Sequence, residues 1–302
     1  MRLTIIFFMS FLIFFGCKKA SNRTRTADIQ ETAQQVGDVM ASVDESGGSA
    51  GTIASSQDTM KKSIQNTFDR YAPNEMNESL IAKLILPDAN AVTCSGAGFA
   101  ACNRSGVVTR SFAGCTVGSA VFSGDVTLTW SNGGTCGLTA AAQSITRVPN
   151  FTVTGRRGAT LTVTKTGTIG QRITWASGAG ASKVFDFKND GISRVFTIGA
   201  TTLFNQTTAT SGDITVTGTS RTSRVMSGGS LNVTNNLTSV VCNYIPTGVT
   251  WAGTTCNCPT SGSWSGTCSN GKSTTLNITG CGTASYTEGA DTQAVTFDRC
   301  GT

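Results

Sequence analysis

The sequence predicts a mainly β protein: a short N-terminal helical segment followed by a large antiparallel, disulfide-stapled β domain. Three observations predict it. Beyond Val92 the chain is written in Thr, Ser, Gly and Val, with apolar and polar residues alternating at period two, as in strands with one face in a core and the other in water. Gly-rich punctuation such as "SNGG", "NDG" and "SGG" breaks these runs roughly every eight to twelve residues, the spacing of hairpin turns. Ten of the eleven cysteines lie between Cys94 and Cys300, an even set that reads as a disulfide framework.

Taken in order, the chain begins with an apolar run from Leu3 to Gly16, interrupted only by Thr4 and Ser10. A spanning helix needs about 20 apolar residues, so this run is too short to cross a bilayer. Met1-Arg2 supplies a positive start, the run an apolar h-region, and Gly16 a small residue before Cys17, the order of a cleavable export signal. The stretch "FLIFFGCKK" at its end resembles a bacterial lipoprotein signal, with Cys17 at the lipobox cysteine and Phe14 and Phe15 where the family usually has Leu and a small residue. That resemblance implies cleavage before Cys17, diacylglycerol on its sulfur and acylation of its amino group. It also implies, with Lys18 rather than Asp next in the chain, residence at the outer membrane. The competing reading is an ordinary signal peptide or an uncleaved anchor in which Cys17 is incidental. Expected boundaries are a signal peptide over 1–16, a lipidated flexible tether over 17–26, a helical segment over 27–90 and the β domain over 91–302.

Within the helical segment, Ile29, Ala33, Val36, Met40 and Val43 recur at spacings of four and three, and Met60, Ile64, Phe68 and Tyr71 form a second stripe that Pro73 ends. Each places an apolar face on one side of a helix. "NEMNESLIAKLILPDAN" predicts a short third helix closed by Pro87. The β domain then reads as fifteen or more strands in a large meander, sandwich or curved half-barrel. In "TLTVTKT" Leu161 and Val163 face one way and Thr160, Thr162 and Thr164 the other. "SGDVTLTW" from Ser123 and "SGDITVTG" from Ser211 are near copies 88 residues apart, without the fixed period of a solenoid.

For the cysteines, folding "CGTASYTEGADTQAVTFDRC" about Ala290-Asp291 sets Cys281 opposite Cys300 and Tyr286 near Val295, within disulfide reach. Cys94 with Cys102, Cys115 with Cys136, and Cys242 with Cys256 or Cys258 are further local candidates, and Cys268 completes the set. The "CNC" of Cys256 and Cys258 departs from the spacing of zinc knuckles, and exported thiols tend to be oxidised, so disulfides are favoured over metal.

Function is less legible. No histidine occurs, which removes the Ser-His-Asp triad and histidine metal sites. Without Arg2 the mature chain has 22 basic and 17 acidic residues and no dense basic run, which argues against nucleic acid as a partner. "FDFKNDGIS" lacks the ligands of a calcium loop at Lys188 and Thr197, so "NDG" is expected to be a hairpin turn. Asp186, Asp190 and Asp213 are the acids a carbohydrate-active enzyme would draw on. Trp130, Trp175 and Trp251 follow apolar residues and are expected in the core. Trp264, among small residues in "SGSWSGT", is expected to be exposed and to grip a sugar ring or protein. Segments such as "TLNITGCGTASYT" and "AVTFDRCG" look like those of uncharacterised exported β-rich bacterial lipoproteins, a resemblance that implies an envelope location and no activity. The leading expectation is a cofactor-free, non-catalytic binding or structural domain, anchored to the membrane through Cys17, with a protein or glycan ligand. The alternatives are a carbohydrate-active enzyme and a surface adhesin.

Overall fold

The structure, a computed structural model, describes residues 17–45, 56–72, 103–113, 115–117, 120–134, 136–155, 157–253 and 255–300. The expected third helix, Cys94 and Cys102 lie outside the described residues. Helix α1 (Cys17–Glu45) and helix α2 (Ser56–Tyr71) come first, and neither is long and apolar enough to cross a membrane. The tether expected over 17–26 is instead the first part of α1. No Gly or Pro interrupts "CKKASNRTRT", so the helix nucleated by the apolar stripe extends back through it.

Among the described residues seventeen strands make one sheet with antiparallel pairing throughout. They are β1 (Val107–Ser111), β2 (Cys115–Val117), β3 (Ala120–Trp130), β4 (Ser144–Thr154), β5 (Ala159–Lys165), β6 (Gln171–Ser177), β7 (Val184–Asn189), β8 (Ile192–Ile198) and β9 (Thr201–Ser211). There follow β10 (Ile214–Thr217), β11 (Val225–Ser227), β12 (Ser230–Asn235), β13 (Val240–Thr250), β14 (Ser261–Cys268), β15 (Ser273–Gly280), β16 (Thr283–Glu288) and β17 (Asp291–Thr296). Several are halves of longer strands. Asn150–Thr154 of β4 pairs with β5 and Ser144–Arg147 of the same strand pairs with β6. The next positions hold β8 with β7, β9 with β10, and β12 with β11. With β1 and β2 both lying along β3, five positions hold two half-strands each. The topology is therefore an up-and-down meander of twelve positions, the simplest route for strands joined by short turns.

The breaks between half-strands form a crease across the sheet. The "NDG" turn expected to be a hairpin is one of them: β7 pairs with β6 and β10, and β8 with β5 and β9, so the chain continues through Asp190-Gly191 rather than reversing. The two copies of Ser-Gly-Asp mark the same device. Gly124 (φ 91°) lies in the middle of β3, and Gly212 (φ 76°) separates β9 from β10. Both take the left-handed conformation that a side chain disfavours, and a Cβ on Gly124 would lie 2.2 Å from the Asn150 carbonyl oxygen.

The helices occupy the inner face. All five residues of the first expected stripe, Ile29, Ala33, Val36, Met40 and Val43, are buried, in a cluster with inward residues of β6, β7 and β10–β16. Ile64 and Phe68 of α2 are buried in a second cluster with Phe122, Phe151, Leu161, Phe196 and Phe204. Burying the larger side chains of the α1 stripe is worth on the order of 10 kcal/mol before the entropy of ordering the helix is subtracted. The other side of α1 is buried too. The Gln30 and Gln34 amides donate to the Thr296 carbonyl, and Asp298 N–H donates to Gln34 Oε1 at 2.8 Å. These side chains satisfy the Thr296 carbonyl at the end of the edge strand β17 and the Asp298 N–H just beyond it, groups another strand would otherwise seek. The outer face is polar: Thr152 and Thr162, Thr109 and Thr127, and Thr287 and Thr292 stand side by side across it. A lipid-facing barrel presents an apolar band outward; this sheet presents threonines.

Candidate functional site

The densest polar chemistry lies where α1, α2, β8 and the segment after β17 meet. Arg70 of α2 bonds Glu31 Oε1 at 2.9 Å and Asp298 Oδ2 at 2.8 Å. Arg194 of β8, 3% exposed, reaches Asp38 Oδ2 at 2.9 Å and Glu31 Oε2 at 3.9 Å, and donates to Thr67 Oγ1. Arg299 lies 3.7 Å from Asp38 Oδ1. Asn66 donates to Asp298 Oδ1 at 3.1 Å. Burial raises the Glu31 carboxyl above its ordinary value, against the opposing pull of Arg194 and Arg70, and raises Asp298 for the same reason. Tyr71, bonded to Glu31, is also pushed up, chiefly by burial. Such a network desolvates every member, so its value lies in registering the four elements against one another more than in net stability.

Beside it lies a cavity with about 40 Å³ available to the centres of water molecules, lined by residues that include Gln35, Asp38, Arg147, Arg194, Arg299 and Phe151. The alternation that predicted the strands also hid this site. Arg194 and Thr208 occupy inward positions of β8 and β9 among Ile192, Phe196 and Phe204, and the register pairs Ile192 with Thr208. Polar residues at inward positions were the available signal.

The cysteines form a second constellation. Cys242 pairs with Cys268, Cys256 with Cys281 and Cys258 with Cys300. Of the 15 ways to pair six cysteines, the chain uses first with fourth, second with fifth and third with sixth, so every bridge crosses the other two. Two expected pairings are corrected. Cys281 does not pair with Cys300, because the hairpin turns one residue earlier than expected, at Gly289-Ala290, which shifts the register by two: Glu288 stands opposite Asp291 and Tyr286 opposite Gln293 rather than Val295. Cys242 pairs with neither Cys256 nor Cys258, because the β13–β14 register sets it directly opposite Cys268, Cα atoms 3.9 Å apart. Closing the 42-residue separation between Cys258 and Cys300 restricts the unfolded chain by about 4 kcal/mol. Cys115 and Cys136 each take part in a disulfide as well, and no bridge joins these two to one another among the bridges described.

Trp264 is not exposed. It is fully buried at an inward position of β14, and its indole N–H points at Met40 Sδ of α1, 3.4 Å away. Its small neighbours Ser263 and Ser265 are the outward residues of a strand rather than a loop surface. Trp130 and Trp251 are buried as expected, whereas Trp175 is half-buried beneath Lys183, whose Nζ lies 3.5 Å from the ring centre.

Of the three acids, Asp190 acts apart from the other two, while Asp186 and Asp213 lie near enough for one charge to act on the other. Asp190 Oδ2 accepts from Thr168 N–H, Thr168 hydroxyl and Ile169 N–H at 2.7, 2.9 and 3.0 Å, and these bonds hold its carboxyl below the ordinary range. It fastens the loop between β5 and β6. Asp186 points outward from β7 and is raised by partial burial and by the charge of Asp213. Among the described residues no group of three or more His, Cys, Asp or Glu side chains could hold a metal. Cys17 is the first residue of α1. Comparison with protein families, curated proteins and solved structures found no match.

Proposed function

We propose that the protein is a lipid-anchored cell-envelope protein, attached through Cys17, whose β domain is a non-catalytic binding or structural body. The observation that carries this reading is α1, which runs without interruption from Cys17 into the middle of the domain. The eleven residues from Cys17 to Ala27 span about 16 Å as a helix, so the anchor would hold the domain at a set height and orientation above an outer-membrane surface. Crossed disulfides support an oxidising compartment, and the threonine-rich outer face supports a body surrounded by water.

The inner face, where a groove for a polymer would form in an open half-barrel, is filled by α1 and α2. A protein or glycan ligand would therefore meet the outer face or the turns. Metabolic labelling with palmitate tests the anchor: label on the wild-type chain and none on Cys17→Ser is expected, and label retained by the variant would sink the proposal. Protease treatment of intact cells separates a surface adhesin, which is removed, from an inward-facing scaffold, which is spared.

A further inference from the structure

The positive charge of the chain is not spread evenly along it. Beyond Arg25 there are 18 basic and 17 acidic residues, close to balance, whereas Lys18, Lys19, Arg23 and Arg25 fall within eight positions of Cys17 and no acidic residue precedes Asp28. Nearly all the net charge of the mature chain therefore belongs to its first nine residues. The four do not form the continuous basic block of a nucleic-acid-binding arm. A positive charge confined to the anchored end of a chain complements one surface above others, that of anionic phospholipids.

The helix makes that placement count. All four positions belong to α1, which begins at Cys17. At about 1.5 Å per residue, Arg25 is roughly 12 Å along the axis from Cys17, whereas the same eight steps of a fully extended tether would reach roughly 27 Å. Attraction to a charged surface acts over about one Debye length, ~8 Å at physiological salt. Lys18 and Lys19 stay within it at any tilt of the helix, and Arg23 and Arg25 enter it as the helix leans; a flexible tether would let both drift out. Farther along α1, Glu31 and Asp38 are engaged inside the domain by Arg70 and Arg194, so their charges do not oppose approach to an anionic surface.

We propose that the first turns of α1 are a docking segment for anionic phospholipid headgroups, with Lys18, Lys19, Arg23 and Arg25 meeting lipid phosphates beside Cys17. The inference rests on the lipid-anchor reading for bringing this segment to a bilayer. Acyl chains retain a protein on any membrane; the basic residues decide which lipids gather around it and draw the domain close to the surface. Each basic residue near an anionic surface strengthens binding about fivefold, so four together contribute on the order of several hundredfold.

The test separates the lipid surface from the lipid anchor. The mature chain from residue 17, with Cys17→Ser so that it carries no acyl chain and with its disulfides intact, is co-sedimented with vesicles of phosphatidylcholine alone or of phosphatidylcholine with one third phosphatidylglycerol. Binding to the anionic vesicles is expected, with little to the neutral ones, and it should weaken as salt rises. Lys18→Gln, Lys19→Gln, Arg23→Gln and Arg25→Gln combined should lower it about a hundredfold or more. The melting temperature should stay at the wild-type value, because glutamine is as good a helix former and the buried stripe of α1 begins only at Ile29. Removing the same charge elsewhere, by Arg104→Gln, Lys165→Gln, Lys188→Gln and Lys272→Gln combined, should leave most of the binding in place. No preference for anionic vesicles, wild-type binding by the α1 variant, or an equal loss in the two fourfold variants would each overturn the proposal. These outcomes are independent of the palmitate label. A labelled chain whose unacylated form ignores anionic vesicles keeps the anchor and loses the docking segment; an unlabelled chain that binds them does the reverse.

Discussion

Replacing Arg194 by Met tests whether the charge network registers the helices on the sheet. The substitution keeps the length of the buried stem and removes the guanidinium that sits 2.9 Å from Asp38 and 3.9 Å from Glu31. Glu31 is fully buried and keeps Arg70, but Asp38 is left with only the longer 3.7 Å contact to Arg299. Removing one partner of a buried ion pair costs about 3–5 kcal/mol, because the remaining charge stays desolvated without compensation. With a urea m-value of roughly 3 kcal/mol/M, the unfolding midpoint should fall by more than about 1 M. Far-ultraviolet circular dichroism follows the sheet, and fluorescence of Trp264 and Trp251 follows the helix-facing core. The double variant Arg194→Met with Asp38→Asn should recover about 1 kcal/mol or more relative to the sum of the singles, as expected for residues in contact. A loss below about 1 kcal/mol for Arg194→Met, or strictly additive singles, would refute the idea that this network locks α1 and α2 to β8.

Two further predictions follow from local geometry. Gly266 lies opposite Tyr244 in the β13–β14 pair, and a Cβ there would sit 1.5 Å from the Asn243 carbonyl oxygen; Gly266→Ala should separate the strands and lower the melting temperature well beyond Gly137→Ala, whose Cβ meets nothing within 4 Å and whose backbone is not left-handed. Differential scanning calorimetry of both variants checks this, and equal effects would contradict it. Asp190 has a folded-state pKa lowered by its three hydrogen bonds, so its charge contributes stability present above the unfolded value and lost as pH falls through the folded one. The stability gap between wild type and Asp190→Asn should therefore be largest near neutral pH and close below the ordinary aspartate value of 3.8, as measured by urea unfolding at pH 7 and pH 3. A gap that widens on acidification would reverse the assignment.

Much of the architecture is readable because it depends on neighbours in the chain. Alternation in "TLTVTKT" puts Leu161 inside and its threonines outside in any sheet, and the four-three spacing of Ile29, Ala33, Val36 and Met40 makes one helix face apolar wherever the helix is placed. The repeated Ser-Gly-Asp was visible too, but its meaning was not. A glycine punctuates a strand equally well as a hairpin tip or as a crease, and only the pairing of β9 and β10 with different partners decides between them. The site was harder to read still. Gln35, Arg194 and Arg299 are 159 and 105 residues apart in order along the chain, and nothing local marks them as neighbours.

By itself, then, the sequence determined the mainly β composition, the helical faces, the strand faces and the supply of cysteines, all set by steric and hydrophobic preferences acting over a few residues. Tertiary structure alone decided which cysteines meet, that Trp264 faces Met40 rather than solvent, and that the inner face is occupied by the chain's own helices. The physical reason is register. Sliding one strand by two residues leaves every side chain on its correct face, so periodicity is indifferent to the shift, yet that shift is the difference between a Cys281–Cys300 staple and three crossed bridges.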